Sequence, residues 1–144
     1  MEVPEYISKQ EVQRVCAELG IRDWTQLTEP EVAIEEAEII QKMVGNEALL
    51  ISVEAFQSGL EVELEHGLQF SDANVTNNHP ILTGMIVLAH LKEMLDYYAR
   101  LEVAELEGDL LKAIKAGDSG KAFLKYRQLV NANADLSKTI KEEF

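Results

Sequence analysis

Apolar residues recur along this chain at three- and four-residue intervals, and no segment sustains the strict alternation of a half-buried strand, so the pattern predicts an all-α fold. Ser8, with Glu11 three residues on, reads as a capping box opening a helix whose inner face is Val12, Val15 and Leu19 and which ends at Gly20. The connector from Ile21 to Leu27 holds the lone Trp24, expected in the core. Thr28 with Glu31, and Pro30 in the first turn, predict a second helix running to Val44 before Gly45, with Ala33, Ala37, Ile40 and Val44 as its stripe. Ser52 is expected to cap a third helix from Val53 to His66, closed by a left-handed Gly67. After a polar loop over 68–79, Pro80 opens a fourth helix to about Leu106. Beyond Gly108 a helical hairpin turns at GDSG, with Leu110, Leu111 and Ile114 facing Phe123, Leu124, Tyr126 and Val130. The expected architecture is a helical bundle centred on the antiparallel hairpin of residues 53–66 and 80–106, with a carboxy-terminal helical hairpin appended.

Charge refines this division. Against 26 acidic side chains stand 13 basic ones, a net charge of −13, which repels phosphate backbones and anionic membranes and argues against nucleic-acid or membrane-surface partners. Residues 1–108 carry 6 basic and 21 acidic side chains, whereas 109–144 carry 7 and 5. The expected organisation is therefore an acidic bundle over 1–108 and a basic tail over 109–144. No cationic leader precedes an apolar run and no stretch has the length of a membrane span, so a cytoplasmic protein is expected. The single cysteine, Cys16, excludes a disulfide framework and a thiolate cluster within one chain. No phosphate loop and no nucleophile elbow is present.

Candidate chemistry lies in GLEVELEHG at 59–67 and HLKEMLDYY at 90–98. Glu63 precedes His66 by three residues, and His90 precedes Glu93 by three, so each helix sets one carboxylate and one imidazole on one face. In a level antiparallel hairpin this mirrored order brings Glu63 opposite Glu93 and His66 opposite His90. Two imidazoles and two carboxylates without thiolate suit a divalent iron, manganese or zinc ion. Asp96 is a candidate extra ligand and Tyr97 a supporting hydrogen-bond partner, lying over Gly59 in the same register. Glu36 or a second subunit are further sources of carboxylate for a ferritin-like centre. The alternative is a polar network that fixes the helix pair without an ion. Glu65 is expected in solvent and His79 as a cap or surface residue. The reaction, if any, stays open.

FQSGLEVELEHG at 56–67, followed by NVTNNHPILTGMIVLAHLKEMLDYYARL at 74–101, resembles a family of small uncharacterised bacterial and phage proteins of unknown function. That family's pattern is an F-x-x-G-x-x-VELEHG block, an NVTNDDP loop and a TGKIALAHLxExPDYYxRL block. Glu63, His66, His90 and Glu93 all fall at matching positions. The chain departs from the pattern at Asn78-His79, where acidic residues are usual, at Met85 for lysine and at Leu95 for proline. The resemblance implies no established activity. Its phage members motivate a second expectation: a structural or assembly protein, cytoplasmic or in a virion, that binds other protein chains or itself through its helices and basic tail.

Overall fold

The computed structural model describes Pro4 and residues 6–143; residues 1–3 and 5, on which part of the leader reading rests, and Phe144 lie outside it. The described residues form an all-α helical bundle of six helices with no strand: α1 Lys9–Leu19, α2 Ile34–Val44, α3 Val53–Gln69, α4 Pro80–Glu93, α5 Tyr97–Lys115 and α6 Ser119–Glu143. No helix among them is long and apolar enough to cross a membrane.

The first helix follows the sequence closely. The Ser8 hydroxyl accepts the Glu11 N–H at 3.2 Å, and Gly20 takes the left-handed conformation at φ 69°. The second starts later than its capping signals suggest. Val32 stays outside the helix because α3 captures its backbone: Glu61 Oε1 accepts the Val32 N–H at 3.2 Å, and Gln57 Nε2 donates to its carbonyl at 2.6 Å. Tertiary partners thus satisfy the backbone groups that a helical turn at Thr28 would have paired internally.

Three further boundaries move. Gly67 lies inside α3, which continues to Gln69, so it is not a left-handed terminus. The long helix expected over 80–106 is broken: α4 ends at Glu93, the Tyr97 N–H closes a turn on the Met94 carbonyl at 3.1 Å, and α5 starts at Tyr97. Gly108 does not interrupt α5, where packing against α6 offsets the roughly 1 kcal/mol that glycine costs a helix. The chain divides into two compact units, Met1–Lys92 and Glu93–Phe144.

In the first unit, Met1–Lys92, Trp24, Ile40, Phe56, Leu60 and Leu64 are fully buried. Gly84 sets how close α4 comes to α2: a Cβ there would lie 2.8 Å from Ile40 Cγ2 and 2.9 Å from Val44 Cγ2. Arg22 and Glu36 tie the Trp24 connector to α2, with Arg22 Nη2 2.6 Å from Glu36 Oε2 and both the Arg22 N–H and Nε on Oε1.

The second unit, Glu93–Phe144, contains α5 and α6 joined by a turn with Gly117 at φ 69°. Its hairpin exists as expected, but its seam is different. Leu106 and Ala113 of α5 and Ala132 of α6 are buried, and Asp109 Oδ2 pairs with Lys125 Nζ at 3.0 Å. Of the set read from the sequence as facing, Leu110 is half-buried, whereas Leu111, Ile114, Phe123, Leu124, Tyr126 and Val130 are all at least half exposed. Small residues let two helices approach closely, and the larger apolar side chains are left outside.

Candidate functional site

The carboxy-terminal part of α3, the loop over 70–79 and α4 surround a recess of about 270 Å³. Glu63, His66 and Thr83 line it beside Asn74, Thr76 and Asn78, with Phe70, Val75 and Ile86 at the apolar margin. The recess exists because the loop is pinned by its asparagines. Asn74 Nδ2 donates to the Gly67 carbonyl at 3.1 Å and to Asn78 Oδ1 at 2.7 Å, and Asn74 Oδ1 accepts from Thr76 Oγ1 at 3.2 Å. Asn77 and Asn78 both hold positive φ, 48° and 59°, a conformation asparagine tolerates better than most residues. Asn77 Nδ2 also donates to the Ile7 carbonyl at 2.6 Å, anchoring the loop to the segment before α1.

His79 completes the loop as a cap. Its Nδ1 accepts the Leu82 N–H at 3.4 Å in the first turn of α4, and burial pushes its pKa below the ordinary histidine value, keeping the ring neutral.

Among the expected ligands, Glu63 and His90 come together: Glu63 Oε1 lies 3.6 Å from His90 Nε2, and the Glu63 side chain retains only 16% of its exposure. A level hairpin would have set His90 opposite His66; the contact sets it beside Glu63, one turn earlier on α3. His66 lines the same recess as Glu63. Glu65 is exposed, as expected. Glu93, Asp96 and Tyr97 belong to the second unit. There Glu93 is exposed, while Asp96 is buried and pairs with Arg100 Nη2 at 2.6 Å, a hydrogen bond that holds its carboxyl below the usual range. Tyr97 meets the ring of Tyr98 edge-on at 5.2 Å. Glu36, considered as an extra carboxylate, is taken up by Arg22 and by the Ala33 N–H at 3.2 Å. Burial would raise its carboxyl, but the hydrogen bonds from Arg22 and the backbone outweigh burial and hold it low. Cys16 is buried, which raises its thiol and keeps it unreactive. Among the described residues, no three His, Cys, Asp or Glu side chains converge as a ready metal cage.

The sequence reading missed the asparagine network as the device that builds the recess. Its signal was present: four Asx residues within 72–78, next to a glycine that is helical and not terminal.

The profile of a family described as a protein of unknown function, DUF5661, matches residues 12–107, and the chain belongs to that family. The match takes in the recess, the Glu63–His90 pair and the first part of α5. No curated protein and no solved structure matches the chain.

Proposed function

We propose that Glu63, on the wall of the recess, and His90 beside it are the first two ligands of one divalent transition-metal ion, iron, manganese or zinc. The carrying observation is their separation. Two ligands about 2.1 Å from a tetrahedrally bound ion stand about 3.4 Å apart, close to the 3.6 Å between Glu63 Oε1 and His90 Nε2. His66, on the same recess and one turn from Glu63, supplies the next imidazole by a change of rotamer, and water completes the shell. Glu93, the remaining carboxylate of the mirrored pair, belongs to the second unit and is left out of this site. The nitrogen and oxygen donors favour these ions over calcium or magnesium, which seldom take histidine. The test is elemental analysis of protein purified without a histidine tag. About one equivalent per chain or per dimer is expected; a metal-free sample that also rejects added zinc, manganese and ferrous ions overturns the reading.

A second reading, a non-enzymatic assembly protein, is favoured by the large apolar residues that the α5–α6 hairpin leaves exposed. In that case Glu63 and His90 act as a polar pair that fixes α3 to α4, and the hairpin docks onto protein.

A further inference from the structure

We propose that the occupant of the exposed hairpin face is a second copy of this chain, whose own hairpin packs against it about a two-fold axis to make a four-helix bundle. This inference rests on the assembly reading of the hairpin and is independent of whether the recess holds metal. Phe123, Tyr126 and Val130 stand at i, i+3 and i+7 on α6, which sets them on one stripe, and Ile114 of α5 lies at the edge of the same groove. They are 63%, 56%, 50% and 60% exposed respectively. Leu110 and Ala122 floor the groove, of about 530 Å³, between the helices.

A two-helix hairpin whose seam is Leu106, Ala113 and Ala132 buries little by itself; a further layer of helices is what covers such a stripe. The four large side chains offer about 500 Å² of surface per copy, so a pair buries about 1,000 Å², the lower edge of a specific interface. Two-fold symmetry makes the match automatic, because each stripe meets its own chemistry.

Charge selects the orientation. The early part of α5 exposes Glu102 and Glu105, whereas the turn end exposes Lys115 and Lys121. Antiparallel packing of two hairpins sets the basic turn of each copy beside the acidic start of α5 in the other, and parallel packing sets like charges together. A partner strongly acidic or basic throughout would meet one end of this face with repulsion.

Sedimentation equilibrium of the full chain tests this, compared with the double variant Phe123→Asp, Tyr126→Asp. Wild type is expected to be dimeric at micromolar concentration, and the variant to raise the dissociation constant by about a hundredfold or more with unchanged helical circular dichroism. Should that variant lose helix, Val130→Ser, a milder change at half-exposed surface, is expected to weaken the dimer with helicity intact. Lys115→Glu with Lys121→Glu is expected to weaken it at low salt and to have less effect at high salt. A wild-type chain that stays monomeric at about 100 µM overturns the proposal. So does a dimer that the Phe123 and Tyr126 substitutions leave intact. Cross-linking of the monomer then separates the two ideas. Links from the hairpin face to the amino-terminal unit of the same chain remove the docking reading as well. A face that remains reactive removes only the self-partner and leaves a foreign protein as its occupant.

Discussion

Asn78 occupies the space that a side chain at Gly67 would need: a Cβ there would overlap Asn78 Oδ1 and come within 2.9 Å of Asn74 Nδ2. On an exposed helix, Gly67→Ala would stabilise by up to about 1 kcal/mol. Here it is expected to destabilise by about 1–3 kcal/mol, because the helix has to push out the loop that forms one wall of the recess. Asn78→Gly in the same chain removes the obstructing side chain and suits the positive φ of 59°, so the double variant is expected to recover part of the loss. Urea denaturation of the two single variants and the double variant decides it. A stabilised Gly67→Ala protein would show that the loop does not sit on α3.

The local rules worked where the chain satisfied itself. Ser8 and Ser52 cap helices through the N–H three residues on, and Gly20 ends α1 in the left-handed conformation, all as their sequence neighbourhood indicates. They failed where distant partners intervened. Gly67 looked like a terminus, yet it is a contact surface for a loop residue eleven positions away. Thr28 and Pro30 looked like a helix start, yet Gln57 and Glu61 hold the backbone of Val32 outside the helix. In the hairpin, apolar periodicity identified both helices but not the seam, since it cannot distinguish a stripe facing its neighbour from one left outside. Residue types pointed to Glu63, His66, His90 and Glu93 as a set, but the pairing of His90 with Glu63 depends on how α4 meets α3, which spacing alone does not fix.

The Arg22–Glu36 pair gives a second prediction. Glu36 is nearly buried while Arg22 is half exposed, so the two truncations are not equivalent. Glu36→Gln leaves a guanidinium that water can reach and is expected to cost about 1 kcal/mol. Arg22→Ala leaves a buried carboxylate with backbone N–H partners only and is expected to cost about 2–3 kcal/mol. The carboxyl is depressed from 4.5 in the native state, so the stability it contributes is fully present above that value and is lost as pH falls through the lower native one. Acid unfolding of Arg22→Ala compared with wild type is expected to begin at higher pH.

His79 shifts the proton balance in the same direction as Glu36, over a higher pH range. Burial lowers its native pKa below 6.5, so above that value folding carries no penalty from this ring. As pH falls through 6.5 towards the native value, the unfolded chain takes up a proton that the folded chain refuses, and stability declines. Protonation would also destroy the Nδ1 acceptor that caps α4. The neighbouring charges, Glu11 raising the value and Arg14 lowering it, tune the midpoint. His79→Asn keeps a side-chain acceptor at this capping position and cannot titrate. It is expected to reduce the loss of stability between about pH 7 and pH 5, measured as the difference in denaturation midpoint from wild type; equal slopes would mean the ring is not held neutral.

Metal and stability are linked if Glu63 and His90 hold an ion. An ion that binds only the folded chain adds about 2.7 kcal/mol at a hundred times its dissociation constant, so thermal unfolding of metal-depleted protein is expected to shift upward on titration with zinc or manganese. His90→Ala removes one of the two closest donors and is expected to abolish the shift. His66→Ala is expected to weaken binding by about 10–100-fold, since its ring has to move to take part. Glu65→Ala, exposed on the same turn of α3, controls for non-specific binding to an acidic surface and is expected to behave as wild type. The polar-pair alternative makes a different forecast. Without an ion, His90→Ala still costs stability through the lost contact with Glu63, but wild type and every variant respond to added metal alike. The titration therefore separates a ligand from a strut even though His90→Ala weakens the fold in either case.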